Sequence, residues 1–217
     1  LPFYFGNDGE GAVFLDDFSV RGFTDDEIRE FMKGTLILSV GAAAALVTRG
    51  FATELGVTVA SGAIPIDQVG VQTVSTSAKV ATGERVNGIS LDVQYGNREL
   101  TPLSSETEWL SEVYHFNQKQ NVCDPLYPGV PRHKTSLGGE CIVFCGTPDM
   151  PFKYYSAFSL LNETRKRQLV DILSKNDLLP IYYPEDAELY LRSGRLPSGE
   201  TFAVAFNLSH DALDELP

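Results

Sequence analysis

The sequence has few cysteines, few basic residues and no long apolar run, and each shortage argues against a class of protein. Three cysteines in 217 residues are too few for a disulfide framework. Lysine and arginine number 17 against 29 aspartates and glutamates, which gives a net charge of −12. We therefore expect no nucleic-acid partner, because phosphate binding needs clustered cations. No run of about 18 apolar residues occurs, so we predict no membrane span and no membrane partner.

The N-terminus lacks both an initiator methionine and the features of a signal peptide. The chain begins LPFYFGNDGEG, without a basic segment or an apolar h-region. Processing or deliberate truncation explains such a start equally well, so the compartment, cytoplasmic or secreted, stays open. We expect the chain to be a piece of a longer protein.

The best-marked element is a short helix in the segment FTDDEIREFMKG. Thr24 is an N-cap residue, and Glu27 three positions later completes a capping box. Three acidic residues lie at the positive end of the helix dipole. Apolar residues recur at helical spacing up to Gly34, which we predict as the C′ residue.

A strand and a second helix follow, and their order indicates the fold class. Residues 35–40 (TLILSV) are an apolar run that predicts a strand buried on both faces, as in a parallel sheet. The segment GAAAALVTRGFATELG predicts a helix that ends at Gly50, with Gly56 in the turn beyond it. Helix, strand and helix in this order predict an α/β domain of the doubly wound type.

The middle of the chain has a different composition. Residues 57–100 are rich in Val, Ile, Thr and Ser, and they predict a β-rich insertion in the α/β domain. Residues 104–116 fit either a strand or a short helix. Residues 117–139 have the composition of a long polar connection rich in proline, so we predict no element there.

The C-terminal part predicts one helix and one hairpin. Asn162 and Asn176 suit the two ends of a helix with an apolar face. A hairpin with the turn PSGE follows. One face of its second strand is predicted to be apolar at Phe202, Val204, Phe206 and Leu208. We predict two domains, residues 1–177 and a small, incomplete β unit over residues 178–217.

Cys141 and Cys145 lie in CIVFC, which we predict as a strand. Four residues along a strand separate their Cα atoms by about 13 Å, whereas a disulfide tolerates at most about 7 Å. Zinc would need further soft ligands, and Cys123, His115 and His133 have no paired spacing. We predict buried core thiols and no metal site, with a reactive thiol as the alternative.

Other candidate catalytic groups have structural interpretations. Carboxylate pairs of the kind a glycosidase uses occur only at turns or at a helix N-terminus: Asp16-Asp17, Asp25-Asp26 and Glu185-Asp186. Ser39 in SVGAAAAL holds the position of a nucleophile elbow but lacks the G-x-S-x-G pattern, and no phosphate loop is present. The histidines lie in polar segments: His115, His133 and His210. We predict no catalytic residue and no cofactor.

Aromatic side chains give one sign of ligand binding, since flat rings can stack on sugars. Four residues are candidates for carbohydrate contact: Trp109, Tyr127, Tyr154 and Tyr155. Aromatic residues fill protein cores equally well. A carbohydrate-binding module is therefore one interpretation among others.

The run FTDDEIREFMKGTLILSVGAAAALVTRGFATELGV resembles the segment that follows the catalytic barrel in a group of bacterial glycoside hydrolases. The matching positions include the Thr24–Glu27 cap, Gly34, the Arg49-Gly50-Phe51 triplet and Gly56-Val57. LGGECIVFCGTPD and the C-terminal hairpin resemble later segments of the same proteins. In those proteins this region is a domain like class I glutamine amidotransferases, similar to the β-galactosidase trimerisation domain, with a β unit after it.

The resemblance implies a flavodoxin-like, amidotransferase-like fold without amidotransferase activity, because a working enzyme needs a cysteine where this chain has Ser39. The catalytic carboxylates would lie on an upstream barrel, which takes about 250 residues by itself. We expect a non-catalytic accessory or assembly region whose partners are that barrel, carbohydrate and further copies of the chain. The alternatives are a carbohydrate-binding module or an independent hydrolase with a serine or cysteine nucleophile.

Overall fold

The computed structural model describes residues 12–62, 71–74, 84–86, 98–117, 122–144, 163–175, 178 and 189–207. The chain divides into two compact units, Leu1–Ile172 and Leu173–Pro217. The helices and strands of the described residues are, in chain order, β1 (Ala12–Leu15), α1 (Asp25–Phe31), β2 (Thr35–Leu38), α2 (Val40–Thr48), α3 (Ala52–Leu55), β3 (Val57–Val59), β4 (Val71–Val74), β5 (Glu84–Val86), β6 (Leu100–Pro102), β7 (Glu108–Trp109), β8 (Ser111–Asn117), β9 (Val122–Pro128), β10 (Pro131–Lys134), β11 (Glu140–Val143), α4 (Glu163–Lys175), β12 (Leu189–Arg195) and β13 (Thr201–Asn207).

Five strands of the first unit form a mixed sheet in the order β1-β2-β11-β10-β7. β1, β2 and β11 run parallel, and β10 and β7 extend the sheet in antiparallel fashion. β2 is buried at all four positions, which confirms the strand predicted for residues 35–40 over its first four residues. The prediction is wrong for Ser39 and Val40, which cap and begin α2, because the Ser39 hydroxyl accepts from the backbone N–H of Ala42. The predicted α/β class is confirmed in its general form, as a mixed α/β fold around a partly parallel sheet.

The largest described hydrophobic cluster lies on one face of this sheet. The chain steps from β1 to β2 and from β2 to β11 in the same direction, and right-handed crossovers then place their helices on the same side. Side chains of α1, α2 and α3 accordingly share one hydrophobic cluster with alternate residues of the three parallel strands. That cluster includes Val13, Leu15, Ile28, Phe31, Leu36, Leu38, Leu46, Leu55, Cys141 and Val143.

Helix α1 begins as the sequence predicts and ends earlier. The hydroxyl of Thr24 accepts from the backbone N–H of Glu27, whose carboxylate accepts from the backbone N–H of Thr24 at 2.8 Å. The capping box is therefore confirmed. The helix ends at Phe31 with Met32 as its C-cap, so the prediction of Gly34 as the C′ residue is wrong. Gly34 is instead in close contact with the backbone of Gly139, where a Cβ would overlap with the Gly34 carbonyl oxygen.

Helix α2 ends in a Schellman motif at the predicted glycine. Gly50 has φ of 94°, the left-handed conformation that glycine adopts without strain. Its N–H donates to the carbonyl of Val47 at 3.1 Å, and the N–H of Phe51 donates to that of Leu46 at 3.0 Å. The short helix α3 follows and ends at Gly56, which is also left-handed.

Arg49 joins the end of α2 to the chain before α1. Its guanidinium donates to the backbone carbonyls of Phe23 at 2.9 Å and Val20 at 3.2 Å, and its Nε donates to Asp25 Oδ1 at 2.8 Å. The guanidinium also lies over the ring of Phe51, 5.9 Å from the centroid. The Arg49-Gly50-Phe51 triplet is thus explained by packing.

The described residues in the middle of the chain include several antiparallel strands. β3 pairs with β6, and a four-stranded sheet has the order β5-β4-β8-β9, in line with the predicted β-rich segment. Residues 104–116, left open from sequence, contribute strands. The prediction of an unstructured connection over residues 117–139 is wrong for β9 and β10. Proline is tolerated there because β9 is an edge strand and Pro131 is the first residue of β10.

The second unit contains the predicted hairpin. β12 and β13 pair over seven residues each, from Leu189 opposite Asn207 to Arg195 opposite Thr201. Gly199 supplies the left-handed position of the turn, with φ of 88°. Leu208, predicted to continue the apolar face, and the predicted helix-capping residues Asn162 and Asn176 lie outside the described residues.

Candidate functional site

The carboxyl ends of the parallel strands meet at one edge of the mixed sheet. Leu15 of β1 lies opposite Leu38 of β2, which lies opposite Val143 of β11. In open α/β sheets this edge is where ligands bind. The polar residues that follow these strands, Asp16, Asp17 and Ser39, therefore define the candidate site.

Ser39 joins the ends of β1 and β2 to helix α2. Its side chain is fully buried, and its Oγ donates to Asp17 Oδ1 at 2.5 Å. The same oxygen accepts from the backbone N–H of Ala42 at 3.2 Å, as an N-cap of α2. The backbone N–H of Ser39 donates to the carbonyl of Leu15 at 3.1 Å. Every polar group of this serine is therefore engaged in holding the elbow together.

The Asp17 carboxylate occupies the space above Gly41, in the first turn of α2. A Cβ built at Gly41 would overlap with both carboxylate oxygens of Asp17. A helix N-terminus attracts anions through its free N–H groups and its dipole. Here the protein's own carboxylate lies against this first turn, beside Gly41.

Asp16 is used in a neighbouring turn. Its Oδ1 accepts from the hydroxyl of Ser19 at 2.6 Å and from the backbone N–H of Phe18 at 3.0 Å. These bonds shape the 3₁₀ turn Ser19–Gly22 that leads towards α1. The turn interpretation of the Asp16-Asp17 pair agrees with these contacts, because one carboxylate shapes a turn and the other closes the elbow.

The described histidine side chain lies far from Ser39. His133 is opposite Cys141, which is opposite Leu36, so two strand spacings and three residues along the strand separate it from Ser39. That amounts to about 14 Å between Cα atoms. His133 Nδ1 lies 3.2 Å from Thr107 Oγ1, and its ring packs on Gly56. The side chain of His115 and all of His210 lie outside the described part of the chain.

Cys141 is a core residue. It is completely buried in the hydrophobic cluster and is not in a disulfide. Burial raises the pKa of its thiol far above the ordinary value, and the carboxylates of Glu54 and Glu140 raise it further. The predicted core role is confirmed for Cys141, since a thiol held neutral is a poor nucleophile. Cys145 lies outside the described residues.

A buried ion pair on the opposite face of β11 is absent from the sequence-based predictions. Arg132 Nε donates to Glu140 Oε2 at 2.7 Å, and a second guanidinium nitrogen lies 2.6 Å from the same oxygen. Thr35 Oγ1 donates to Glu140 Oε1 at 3.4 Å, and Glu108 lies 3.7 Å from the guanidinium. The pair satisfies two charges inside the sheet and holds β10 to β11. Its only local sign is a glutamate at the start of the apolar strand ECIV.

The aromatic residues predicted to contact carbohydrate do not form one described surface. Trp109 is half-buried at the sheet edge and packs against the hydrophobic cluster. Tyr127 belongs to β9, which is in the four-stranded sheet, and its side chain lies outside the described set. Tyr154 and Tyr155 are also outside the described ranges. Carbohydrate contact by these residues stays a prediction.

Metal-binding clusters and membrane-spanning helices can be assessed only in the part of the chain that the structure describes. No group of three or more His, Cys, Asp or Glu side chains there is arranged to hold a metal ion. None of the helices in this part of the chain is both long enough and apolar enough to cross a membrane.

No protein-family model matches the sequence, and no curated protein matches it either.

Proposed function

We propose that this chain is a non-catalytic accessory and assembly region of a bacterial glycoside hydrolase of the β-galactosidase-like kind. Its α/β part would be an amidotransferase-like domain of flavodoxin type, and the catalytic barrel would lie upstream in the same polypeptide. The sequence resemblance supplies the family. The closed elbow supports the non-catalytic role.

The bond between Ser39 and Asp17 is the observation that carries the proposal. An elbow that performs chemistry needs an accessible nucleophile, a general base and space for an oxyanion. Here the serine at the elbow is a buried hydroxyl that already donates to Asp17, and the Asp17 carboxylate lies against the first turn of α2 at Gly41. The elbow therefore supports the fold.

The non-catalytic role is tested on the 217-residue chain itself. We expect no hydrolysis of glutamine, of activated esters or of nitrophenyl glycosides. Turnover that disappears in Ser39→Ala but persists in Thr48→Ala, an exposed hydroxyl on the same helix, would overturn the proposal in favour of an independent hydrolase. Glycan binding lost on Trp109→Ala would instead favour a carbohydrate-binding module.

The glycosidase context is tested by sequencing the coding DNA upstream of Leu1. We expect an open frame of several hundred codons with β/α alternation and two carboxylates at the ends of strands. A start codon immediately before Leu1 would contradict the accessory role, because no barrel would then share the polypeptide.

A further inference from the structure

The second unit exposes an uncharged strand on both of its faces. Residues 201–206 of β13 are all exposed, including Phe202 at 40%, Val204 at 46% and Phe206 at 49%. Within the described residues, β13 pairs only with β12. A two-stranded hairpin is marginally stable by itself in water. A partner that covered this strand would bury its exposed apolar side chains.

The sequence of β13 is nearly symmetric about its centre. TFAVAFN has Val204 in the middle, an alanine on each side, then a phenylalanine on each side. Two antiparallel copies centred on Val204 would place Phe202 of each opposite Phe206 of the other. Directly opposed aromatic pairs of this kind stabilise antiparallel sheets. The strand thus complements a second copy of itself.

Charge also favours a second copy at this strand. The chain carries a net charge of −12, yet no residue of Thr201–Asn207 is charged. Natural edge strands are guarded against pairing by lysine, proline or inward charges, and β13 has none of these. Two acidic molecules would meet here without placing like charges opposite each other.

From these features we infer that two copies of this chain associate through β13, forming a continuous four-stranded antiparallel sheet about a two-fold axis at Val204. The contact is isologous, because the same strand serves on both sides. The inference rests on the assembly role proposed above and assigns that role to strand β13.

The exposed apolar area predicts a weak dimer. Taking about 200 Å² for an aromatic side chain, the exposed fractions of Phe202, Val204 and Phe206 leave on the order of 250 Å² to bury per copy. A standard stable interface buries about 800 Å² per partner. Ladder hydrogen bonds add to the apolar contact, and we expect a dimer that dissociates on dilution.

The two-fold axis allows a charge-swap test by sedimentation equilibrium. Val204→Lys and Val204→Glu each place like charges opposite each other, about 5 Å apart, and each should raise the dissociation constant at least tenfold. An equimolar mixture of the two variants should dimerise again. Thr48→Lys, which makes the same charge change on an exposed helix position, should dimerise like the wild type.

Cysteine cross-linking tests the register. Val204→Cys places two thiols directly opposite each other, within the 4.4–6.8 Å Cα range of a disulfide, so mild oxidation should yield a covalent dimer. Ala203→Cys faces Ala205 of the other copy and should cross-link far less. Wild-type chain under the same oxidant controls for the native cysteines.

The other outcomes distinguish failure of this inference from failure of the proposed function. A dimer that survives both Val204 variants keeps the assembly role but moves it to another surface. A monomer at all concentrations removes the assembly role of this chain together with β13. A β13 dimer without an upstream barrel would leave this inference standing and sink only the glycoside hydrolase context.

Discussion

The Asp17 carboxylate accepts a hydrogen bond from the hydroxyl of Ser39 at 2.5 Å. This bond joins the residues that follow two neighbouring parallel strands, β1 and β2. The same carboxylate covers Gly41 at the start of α2. One acidic side chain thus contacts both the Ser39 hydroxyl and the first turn of α2. The elbow works as a joint between strand ends and helix.

Gly41→Ala should destabilise the protein even though alanine favours helix. Alanine gains about 1 kcal/mol of helix propensity over glycine, but its Cβ would overlap with the Asp17 carboxylate and force it away from Ser39. We expect a net loss of about 1–3 kcal/mol in the free energy of unfolding, measured by urea denaturation.

The decisive comparison uses Asp17→Ala as background. There the space above residue 41 is open, so Gly41→Ala should become stabilising. Gly22→Ala is a matched control, since no atom lies within 4 Å of a Cβ at Gly22. Equal effects of Gly41→Ala in both backgrounds would show that Asp17 does not occupy this space.

Arg49→Lys should lose most of the hydrogen bonds that hold the chain before α1 to the end of α2. A lysine ammonium cannot reproduce the fork that reaches the carbonyls of Phe23 and Val20 and the carboxylate of Asp25. We expect a loss of about 1–3 kcal/mol in unfolding free energy. Arg21→Lys, at an exposed position, should change little. An unaltered urea midpoint for Arg49→Lys would contradict the assigned contacts.

Cys141 should resist thiol reagents in the folded protein. Burial among apolar side chains keeps the thiol neutral and raises its pKa, so labelling of Cys141 in a Cys123→Ser, Cys145→Ser background should require unfolding. Because the folded pKa is raised, the unfolded thiol ionises first as pH increases. Stability linked to Cys141 is therefore complete below the ordinary value of 9.0 and decreases above it.

The variant Cys141→Ala tests the predicted loss of stability at alkaline pH. Cys141→Ala should cost stability at neutral pH by leaving a cavity and should remove the thiol's part of the decline above pH 9. Fast labelling of Cys141 under native conditions would contradict the core position.

Glu27 should make the cap of α1 sensitive to acid. Hydrogen bonds from the backbone and hydroxyl of Thr24 favour its carboxylate and lower its pKa below the ordinary 4.5. The stabilisation is therefore present above that value and is lost as pH falls through the folded pKa. Glu27→Gln should lower the urea midpoint near neutral pH and have less effect at about pH 3. In a Thr24→Ala background this pH dependence of the Glu27→Gln effect should vanish.

The elements predicted correctly from sequence are marked by residues only a few positions apart in the chain. The Thr24 cap with Glu27 specifies where α1 begins, and Gly50 specifies where α2 ends, because both depend on local hydrogen bonds and backbone conformation. The hairpin of β12 and β13 is predictable for the same reason. The prediction for Gly34 is wrong, because the helix ends before it; its carbonyl oxygen instead accepts from the backbone N–H of Glu140, far along the chain, at 2.9 Å.

The elements and contacts that sequence did not predict depend on distant partners. β9 looked like a connection because proline is common there, and only its edge position beside β8 makes those prolines acceptable. Asp17 and Ser39 were each singled out, one in a carboxylate pair and one at an elbow, but no local pattern joins residues 22 positions apart. The Arg132–Glu140 pair likewise depends on the register of two strands.

The position of β2 between β1 and β11 has a consequence for the growing chain on the ribosome. β1 is made before β2, but the partner on the other side, β11, comes about a hundred residues later, since Thr35 and Glu140 are 105 positions apart. Synthesis runs at about 5–20 residues per second, so the edge of β2 that pairs with β11 stays unpaired for about 5–20 s. During that interval the nascent chain presents an open strand to other nascent chains and to chaperones.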